Sequence, residues 1–178
     1  FISQRELFDA QVTRTITPKI SYNYRGKVVQ GNIPIFDTTD KEDEALTFAA
    51  LTSGERYTGL DRISNANDIT LSLVTNYSEL DSNNKFNYKI AQSYYADDEV
   101  VSNETNTDYE KRRLYSDVVA SIGLAVNQFA FDSGLQFDPE ISKITNRSNA
   151  ISYELNPKKF VSLTHTKDGS TTTVKLYG

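Results

Sequence analysis

The chain has 178 residues, which is enough for one domain with a sizeable core and does not require two. Its net charge of −5 and its scattered Lys and Arg residues argue against nucleic-acid binding, which needs clustered basic residues. The absence of cysteine excludes thiol catalysis, disulfide frameworks and cysteine-rich zinc sites. Because the chain opens at Phe1 and contains no methionine, we expect a piece of a larger protein.

The first predicted strand covers Phe8–Tyr24, where apolar and aromatic side chains alternate with polar ones. This alternation is longer than the ~5–6 residues of a usual strand, and it suits a tilted strand that crosses a bilayer. Arg14 falls on its apolar side, so we expect Arg14 to mark the periplasmic membrane boundary. The same alternation predicts seven further strands: Asp68–Tyr77, Lys85–Ala96, Leu114–Val126, Phe129–Phe137, Ser148–Leu155, Phe160–Thr166 and Thr171–Tyr177.

These patterns predict an all-β, antiparallel, up-and-down meander of seven or eight strands with little helix. The mean hydropathy of −0.51 is compatible with a membrane β-barrel, because such strands alternate lipid-facing and lumen-facing residues. A soluble β-sandwich gives similar alternation, so the pattern alone leaves both architectures open. In the barrel interpretation, seven side chains are predicted to face lipid: Ile16, Ile20, Ile69, Leu71, Ile90, Ile122 and Leu124.

The predicted connections alternate in length, beginning with a long one at Gly26–Asn67 and a short turn at Glu79–Asn84. Outer-membrane barrels have short periplasmic turns and longer extracellular loops. Asp97–Arg113 and Pro139–Asn146 are the next predicted long connections, whereas the Lys167–Ser170 reversal is shorter than this rule expects. Tyrosines near the predicted strand ends suit aromatic girdles at the two membrane interfaces.

Residues with catalytic or metal-binding potential are few. His165 is the only histidine, and we interpret it as solvated or interfacial because no oriented partner or nucleophile accompanies it. The acidic runs Asp40–Glu44 and Asp97–Glu99 lack the spacing of a calcium-binding loop, and we interpret them as solvated loop charge. We therefore expect no enzyme activity, no catalytic residues, no metal site and no cofactor.

The stretch "GERYTGLDRISNANDITLSL", Gly54–Leu73, begins as a loop and ends as a strand. Arg56 and Arg62 flank a possible turn at Gly59, and Asp61 can pair with either arginine. Interactions within the loop already account for this composition. Five other segments accompany this loop in a fixed order. Two precede it, "ITPKISYNYRG" and "NIPIFDT", and three follow it, "YKIAQSYYADDEVV", "SDVVASIGLAVNQFAFDSGLQFDPE" and "NAISYELNPKKFVSLTHT".

Together these segments resemble the LptD family of outer-membrane LPS-assembly proteins. The resemblance covers most of the chain and is most specific at Gly59–Ile63 and Ala66–Asn67. It implies that residues 1–178 are one partial domain, the middle of a very large transmembrane β-barrel, with a long loop at 26–67. The family's N-terminal jelly-roll domain, its cysteines and its lateral-gate strands are not recognisable here.

The resemblance further implies a place in the cell outer membrane of a Gram-negative bacterium, in the translocon that inserts lipopolysaccharide (LPS) into the outer leaflet. The partners it implies are LPS, the plug lipoprotein LptE, membrane lipid and, through the jelly-roll domain, the periplasmic LPS bridge. Residues 26–67, with their apolar run Ala45–Leu51, are expected to form a packed cap. The predicted partner-binding residues are Arg56, Tyr57, Gly59, Leu60, Asp61, Arg62, Ile63, Asn65 and Asn67. The alternative is a soluble β-sandwich or barrel binding module.

Overall fold

The computed structural model describes residues 1–7, 10–26, 46–54, 65–97, 99–102, 108–111, 113–156, 159–169 and 171–177. Within this part of the chain there are eleven strands and one short helix. The strands and the helix are β1 Ile2–Leu7, β2 Ala10–Arg25, α1 Phe48–Ser53, β3 Ala66–Glu79, β4 Lys85–Tyr95, β5 Glu99–Ser102, β6 Asp108–Lys111, β7 Val118–Val126, β8 Phe129–Asp138, β9 Lys143–Asn156, β10 Lys159–Asp168 and β11 Thr171–Tyr177.

Nine strands form one antiparallel sheet in the order β1-β2-β3-β4-β7-β8-β9-β10-β11, and β5 and β6 form a separate hairpin. Each strand of the sheet pairs with the next strand in sequence, except that β4 pairs with β7 because β5 and β6 lie between them in the chain. The all-β up-and-down meander is therefore confirmed. No described helix has the length and apolar character needed to cross a membrane. The sheet has one strand more than predicted, because β1 is mostly polar and shows no clear alternation.

Two predicted boundaries are wrong. The strand predicted from Leu114 begins only at Val118. An isolated bridge between Tyr115 and Tyr94 holds the preceding residues to β4, and the ladder is interrupted at Ser116 and Asp117, whose side chains are buried in hydrogen bonds. The predicted connection Pro139–Asn146 is shorter than expected, because β9 already begins at Lys143. A register shift between Gln136 and Phe137 leaves Thr145 as the extra residue of a β-bulge, which disturbs the period-two pattern at this point.

The connections fall into two groups at opposite ends of the sheet. At the short-turn end, residues 8–9, 80–84, 127–128 and 157–158 join neighbouring strands. At the long-connection end, residues 26–65, 96–117, 139–142 and 169–170 do so. The turn between β7 and β8 consists of Asn127 and Gln128. It places Asn127 at φ 54, the left-handed geometry that tight hairpins require.

The register separates the side chains into two faces, because direct cross-strand partners point to the same side and successive residues alternate. One side, called here the apolar face, carries Ile16, Pro18, Ile20, Tyr22, Tyr24, Ile69, Leu71, Leu73, Tyr77, Phe86, Tyr88, Ile90, Tyr94, Ile122, Leu124, Val126, Phe129, Phe131, Leu135, Phe137, Ile151, Tyr153, Leu163, Val174 and Leu176. The other side, the polar face, is dominated by Ser, Thr, Asn, Asp, Gln and Lys.

Candidate functional site

The apolar face is continuous across eight strands and remains open. Ile20 is 76% exposed, Leu71 55% and Leu176 74%. All seven residues predicted to face lipid lie on this face, in direct cross-strand rows such as Ile20 opposite Leu71 and Leu73 opposite Ile90. An exposed apolar patch of this extent indicates a surface that contacts lipid or another protein.

Aromatic side chains on the apolar face cluster towards the two ends of the strands. At the long-connection end, Tyr22 and Tyr24 are well exposed, and the rings of Tyr94 and Tyr115 lie 5.6 Å apart. Towards the short-turn end, the rings of Tyr77 and Phe86 lie 5.8 Å apart. This distribution is typical of aromatic belts at the two interfaces of a membrane.

Arg14 is a cation on the apolar face, close to the short-turn end. It lies opposite Tyr77 in the β2–β3 register, and its guanidinium carbon is 5.6 Å from the centre of the Tyr77 ring. That geometry permits a cation–π interaction. The Arg14 Nε is buried, and no described residue accepts a hydrogen bond from it.

The polar face carries a structured part of the long loop, Leu46–Gly54, called here the cap. Its helix α1 begins where the Thr47 hydroxyl accepts a hydrogen bond from the Ala50 amide at 3.1 Å, and it ends at Gly54 with φ 70. Leu51 is buried against Ala91 of β4 and Val119 of β7. The small side chains at these two strand positions leave room for the helix to lie close to the sheet.

Hydrogen bonds fasten both ends of the cap. The Leu46 amide donates to the Gln136 side-chain oxygen of β8 at 3.0 Å, and the Arg25 guanidinium of β2 donates to the Gly54 carbonyl at 2.6 Å. Gly54 lies so close to Asn23 that a Cβ atom there would come within 2.8 Å of its side-chain oxygen. The cap therefore spans the polar face from β2 to β8.

Asp117 organises the polar groups beside the cap. This carboxylate is 4% exposed and accepts hydrogen bonds from Arg113 at 2.6 Å, Gln136 at 2.7 Å and Thr145 at 3.2 Å. Gln136 also holds the first residue of the cap, so Asp117 fixes the orientation of an anchor. Sequence reasoning missed this cluster, because its members come from three separate segments and Thr145 reaches Asp117 from within the β-bulge.

Comparison with known proteins adds to this geometry. The family described as LPS transport system D, LptD, matches residues 1–174. The chain belongs to the LptD family.

Individual relatives agree with this assignment. This LptD-family chain is 28% identical to the LPS-assembly protein LptD of Pseudoalteromonas atlantica over 93% of its own length and 21% of the relative's. It is 30% identical to the LptD of Shewanella frigidimarina over 85% of its length and 19% of the relative's. It is 28% identical to the LptD of Pseudomonas putida over 92% of its length and 18% of the relative's. The chain thus spans about a fifth of the length of the curated relatives it matches.

The predicted partner-binding residues are only partly described in this LptD-family structure. Arg56, Tyr57, Gly59, Leu60, Asp61, Arg62 and Ile63 lie outside the described residues. Asn65 directly precedes β3, and Asn67 lies within it. Asn67 is on the same side of the sheet as the apolar face, opposite Tyr24, where it accepts a hydrogen bond from the Tyr22 hydroxyl at 3.0 Å and donates one to Asp97 at 2.5 Å. The structure therefore places Asn67 on the side opposite the cap.

The other candidates from the sequence are also only partly described. Asp40–Glu44 and Asp98 lie outside the described residues, and His165 is a half-buried residue of β10 on the side of the apolar face. Within the described ranges, no group of three or more His, Cys, Asp or Glu residues is arranged to hold a metal ion.

Proposed function

We propose that this chain forms part of the wall of an outer-membrane β-barrel in a Gram-negative bacterium, within the machinery that delivers LPS to the outer leaflet. The observation that carries the proposal is the continuous, exposed apolar face on a sheet whose opposite face is polar and carries a cap. Membership of the LptD family supports it, since the relatives are LPS-assembly proteins by name.

The apolar face in this proposal contacts membrane lipid. In a barrel of this kind, lipid-facing and lumen-facing residues alternate along each strand, and the register of the sheet has this arrangement. A soluble β-sandwich needs a second layer over its apolar side. Among the described elements, α1 lies on the polar side, and the large apolar side chains remain exposed. No described feature favours the binding-module alternative.

The polar face in this proposal lines the lumen, where the cap narrows the space near the extracellular, long-connection end. The chain performs no bond chemistry: its role is to shape a polar passage for LPS and to hold the plug lipoprotein LptE. The residues proposed for that partner contact are Arg56, Tyr57, Gly59, Leu60, Asp61, Arg62, Ile63 and Asn65. They adjoin the Gly54 end of the cap in sequence, and Arg25 fixes that end to β2. Asn67 is left out of the proposed contact, because it lies on the side of the apolar face.

A paired cysteine scan of β3 in the full-length protein tests the wall. Leu71→Cys and Ser72→Cys differ by one residue and lie on opposite faces. A fluorophore attached in the Leu71→Cys variant should be quenched by lipids that carry a quencher in their acyl chains, and one attached in the Ser72→Cys variant should not. A membrane-impermeant thiol reagent should show the opposite preference, because position 72 faces the aqueous lumen. Equal quenching at both positions, repeated at the exposed neighbours Lys19 and Ile20, would contradict the proposal.

Photo-crosslinking from position 62 tests the partner contact, and the plug lipoprotein should be trapped. The double variant Asp61→Ala/Arg62→Ala should retain less plug lipoprotein on purification, because truncating one side of a desolvated charge pair costs about 2–5 kcal/mol. Asn67→Ala is the matched control, since Asn67 lies on the other side of the sheet. Loss of the plug with Asn67→Ala alone, and no crosslink from position 62, would assign the contact elsewhere.

A further inference from the structure

Arg14 of β2 is a cation on the apolar face for which the described residues supply no anion. None of them accepts a hydrogen bond from its guanidinium or forms an ion pair with it, and its Nε atom is buried. By contrast, Arg113 at the opposite end of the sheet lies within 4 Å of three carboxylates. A buried donor without an acceptor is costly, and so is an unpaired guanidinium beside lipid. The Arg14 site therefore calls for an external anion.

Aromatic rings fix the position of this cation. The guanidinium carbon of Arg14 is 5.6 Å from the centre of the Tyr77 ring, and the Phe86 and Tyr88 rings continue the row at 5.8 and 6.4 Å. A guanidinium that lies on an aromatic ring can still donate hydrogen bonds from its edge. Arg14 is thus held in place while its terminal nitrogens, which have no described partner, can bind a further group.

A carboxylate lies on the same side of the sheet, closer to the short-turn end. In the β2–β3 register Arg14 and Glu79 are diagonal neighbours, and the Cα atoms of such neighbours are about 7–8 Å apart. The Glu79 Oε2 atom accepts hydrogen bonds from Ser82 at 2.5 Å and Asn84 at 2.6 Å, whereas Oε1 has no described partner. Arg14 and Glu79 form no ion pair with each other, so each presents its charge to the surroundings.

Apolar side chains continue the same line away from the turn. The next residues of β2 on this side are Ile16, Pro18 and Ile20, and Ile20 is 76% exposed. From the short-turn end towards the middle of the sheet, a carboxylate is followed by a guanidinium and then by an apolar strip. A phospholipid with an amine headgroup has the complementary order of ammonium, phosphate and acyl chain.

We propose that Arg14 and Glu79 bind the headgroup of a zwitterionic glycerophospholipid in the periplasmic leaflet, with the phosphodiester on Arg14 and a primary ammonium on Glu79. Arginine suits phosphate because its planar guanidinium forms two parallel hydrogen bonds to it. A primary ammonium has N–H donors for the Glu79 Oε1 atom, which a quaternary ammonium lacks. One acyl chain then lies along Ile16, Pro18 and Ile20.

This inference rests on the proposed function, because it needs the apolar face in lipid and the short-turn end on the periplasmic side. It gives the membrane boundary predicted at Arg14 a specific ligand. The site lies on the outer surface of the wall, on the side opposite the cap and the passage proposed for LPS.

Lipid binding to the full-length protein in detergent, measured by native mass spectrometry, tests the site. Phosphatidylethanolamine should bind about threefold more tightly than phosphatidylglycerol or phosphatidylcholine. Phosphatidylglycerol has the phosphodiester but no cation for Glu79, and the quaternary ammonium of phosphatidylcholine donates no hydrogen bond. Equal affinity for the three lipids would overturn the proposal.

Four variants separate the two charges from other effects. Arg14→Gln should weaken the binding of phosphatidylethanolamine and phosphatidylglycerol about tenfold, because both lose the phosphate contact. Glu79→Gln should weaken only phosphatidylethanolamine, to the level of phosphatidylglycerol. Asn84→Ala removes a hydrogen bond of the turn but keeps the carboxylate, so it should keep the preference. Lys19→Gln removes an exposed cation from the polar face and should bind like the unchanged protein.

Two results with these variants would also overturn the assignment. Unchanged affinity in Arg14→Gln would show that the guanidinium does not bind the phosphate. An equal loss of the preference in Glu79→Gln and Asn84→Ala would show that the shape of the turn matters and the carboxylate charge does not.

The paired quenching of positions 71 and 72 separates this inference from the proposed function. If the quenching alternates and the three lipids bind equally, only the headgroup site is wrong. If the quenching does not alternate, the wall itself is wrong. The same quenching pattern in Arg14→Gln shows that this variant folds. Should it not fold, Arg14→Lys replaces it and must still weaken binding, because lysine cannot form two parallel hydrogen bonds to phosphate.

Discussion

Strands β3, β4 and β7 differ from β10 and β11 in what covers their polar side. Under the cap, Ala91, Ser93 and Val119 are buried and Thr70 is bonded to Ser93 at 2.7 Å. In β11 every residue is exposed. The difference indicates that the cap supplies the packing that a single-layer sheet lacks, whereas β10 and β11 depend on hydrogen bonding between strands and, in the proposed wall, on the surrounding membrane.

The largest expected effect on the capped region comes from Asp117→Ala. Arg113 would lose its closest partner while its side chain is 15% exposed, and removing one member of a buried pair costs about 3–5 kcal/mol. Gln136 would also lose an acceptor and hold Leu46 less firmly. Urea unfolding of the full-length protein in vesicles, with a probe on the cap, measures the loss of stability. Glu140→Ala is the control, because its carboxylate is 3.8 Å from Arg113 and its side chain is 47% exposed, so it should contribute much less.

The next effect concerns the uncapped side of the same strands. Leu71→Lys places a charge on the apolar face, and at the bilayer midplane this costs about 2–4 kcal/mol. Ser72→Lys adds the same charge to the polar face and should cost far less. The yield of folded protein in the outer membrane measures both. Similar yields for the two variants would mean that Leu71 does not face lipid.

The two faces of the sheet can largely be predicted from the sequence, whereas the packing of the cap cannot. The period-two pattern predicts β3, β4 and β8 and the side on which Ile69, Leu71 and Leu124 lie, because alternation and register are set by the same residues. The cap is different: Ala45–Leu51 reads as an apolar run, but its contact with Ala91 and Val119 depends on three distant segments meeting. Asn67 is a second feature that the sequence alone does not predict correctly. An asparagine at this position is typical of a loop, but in the structure it lies on the side of the apolar face and forms hydrogen bonds with Tyr22 and Asp97.

Leu51→Ala should loosen the cap without disturbing the wall. The cost should be about 2 kcal/mol, at the low end for a buried leucine, because its cluster is small. Ala49→Ser changes an exposed residue of the same helix and should stay within about 0.5 kcal/mol. Protease sensitivity of residues 46–54 in folded protein is the measurement. A loss of membrane insertion with Leu51→Ala would show that the cap is needed to build the wall and does not merely cover it.

The smallest effect is expected at the short-turn end, far from the cap. Hydrogen bonds from Ser82 at 2.5 Å and Asn84 at 2.6 Å lower the pKa of the Glu79 carboxyl, because they stabilise its ionised form. A group whose pKa is lowered on folding contributes stability above its unfolded pKa, and that contribution is lost as the pH falls through the folded value. Glu79→Gln should therefore weaken the turn at neutral pH and make little difference in acid.

Asn84 also accepts a hydrogen bond from the Asn127 amide of the neighbouring turn at 3.0 Å, so the weakening should also be visible in that turn. Amide hydrogen exchange at residues 80–84 and 127–128, followed from neutral to acidic pH, tests this, and a difference between the Glu79→Gln variant and the unchanged protein that grows in acid would contradict it.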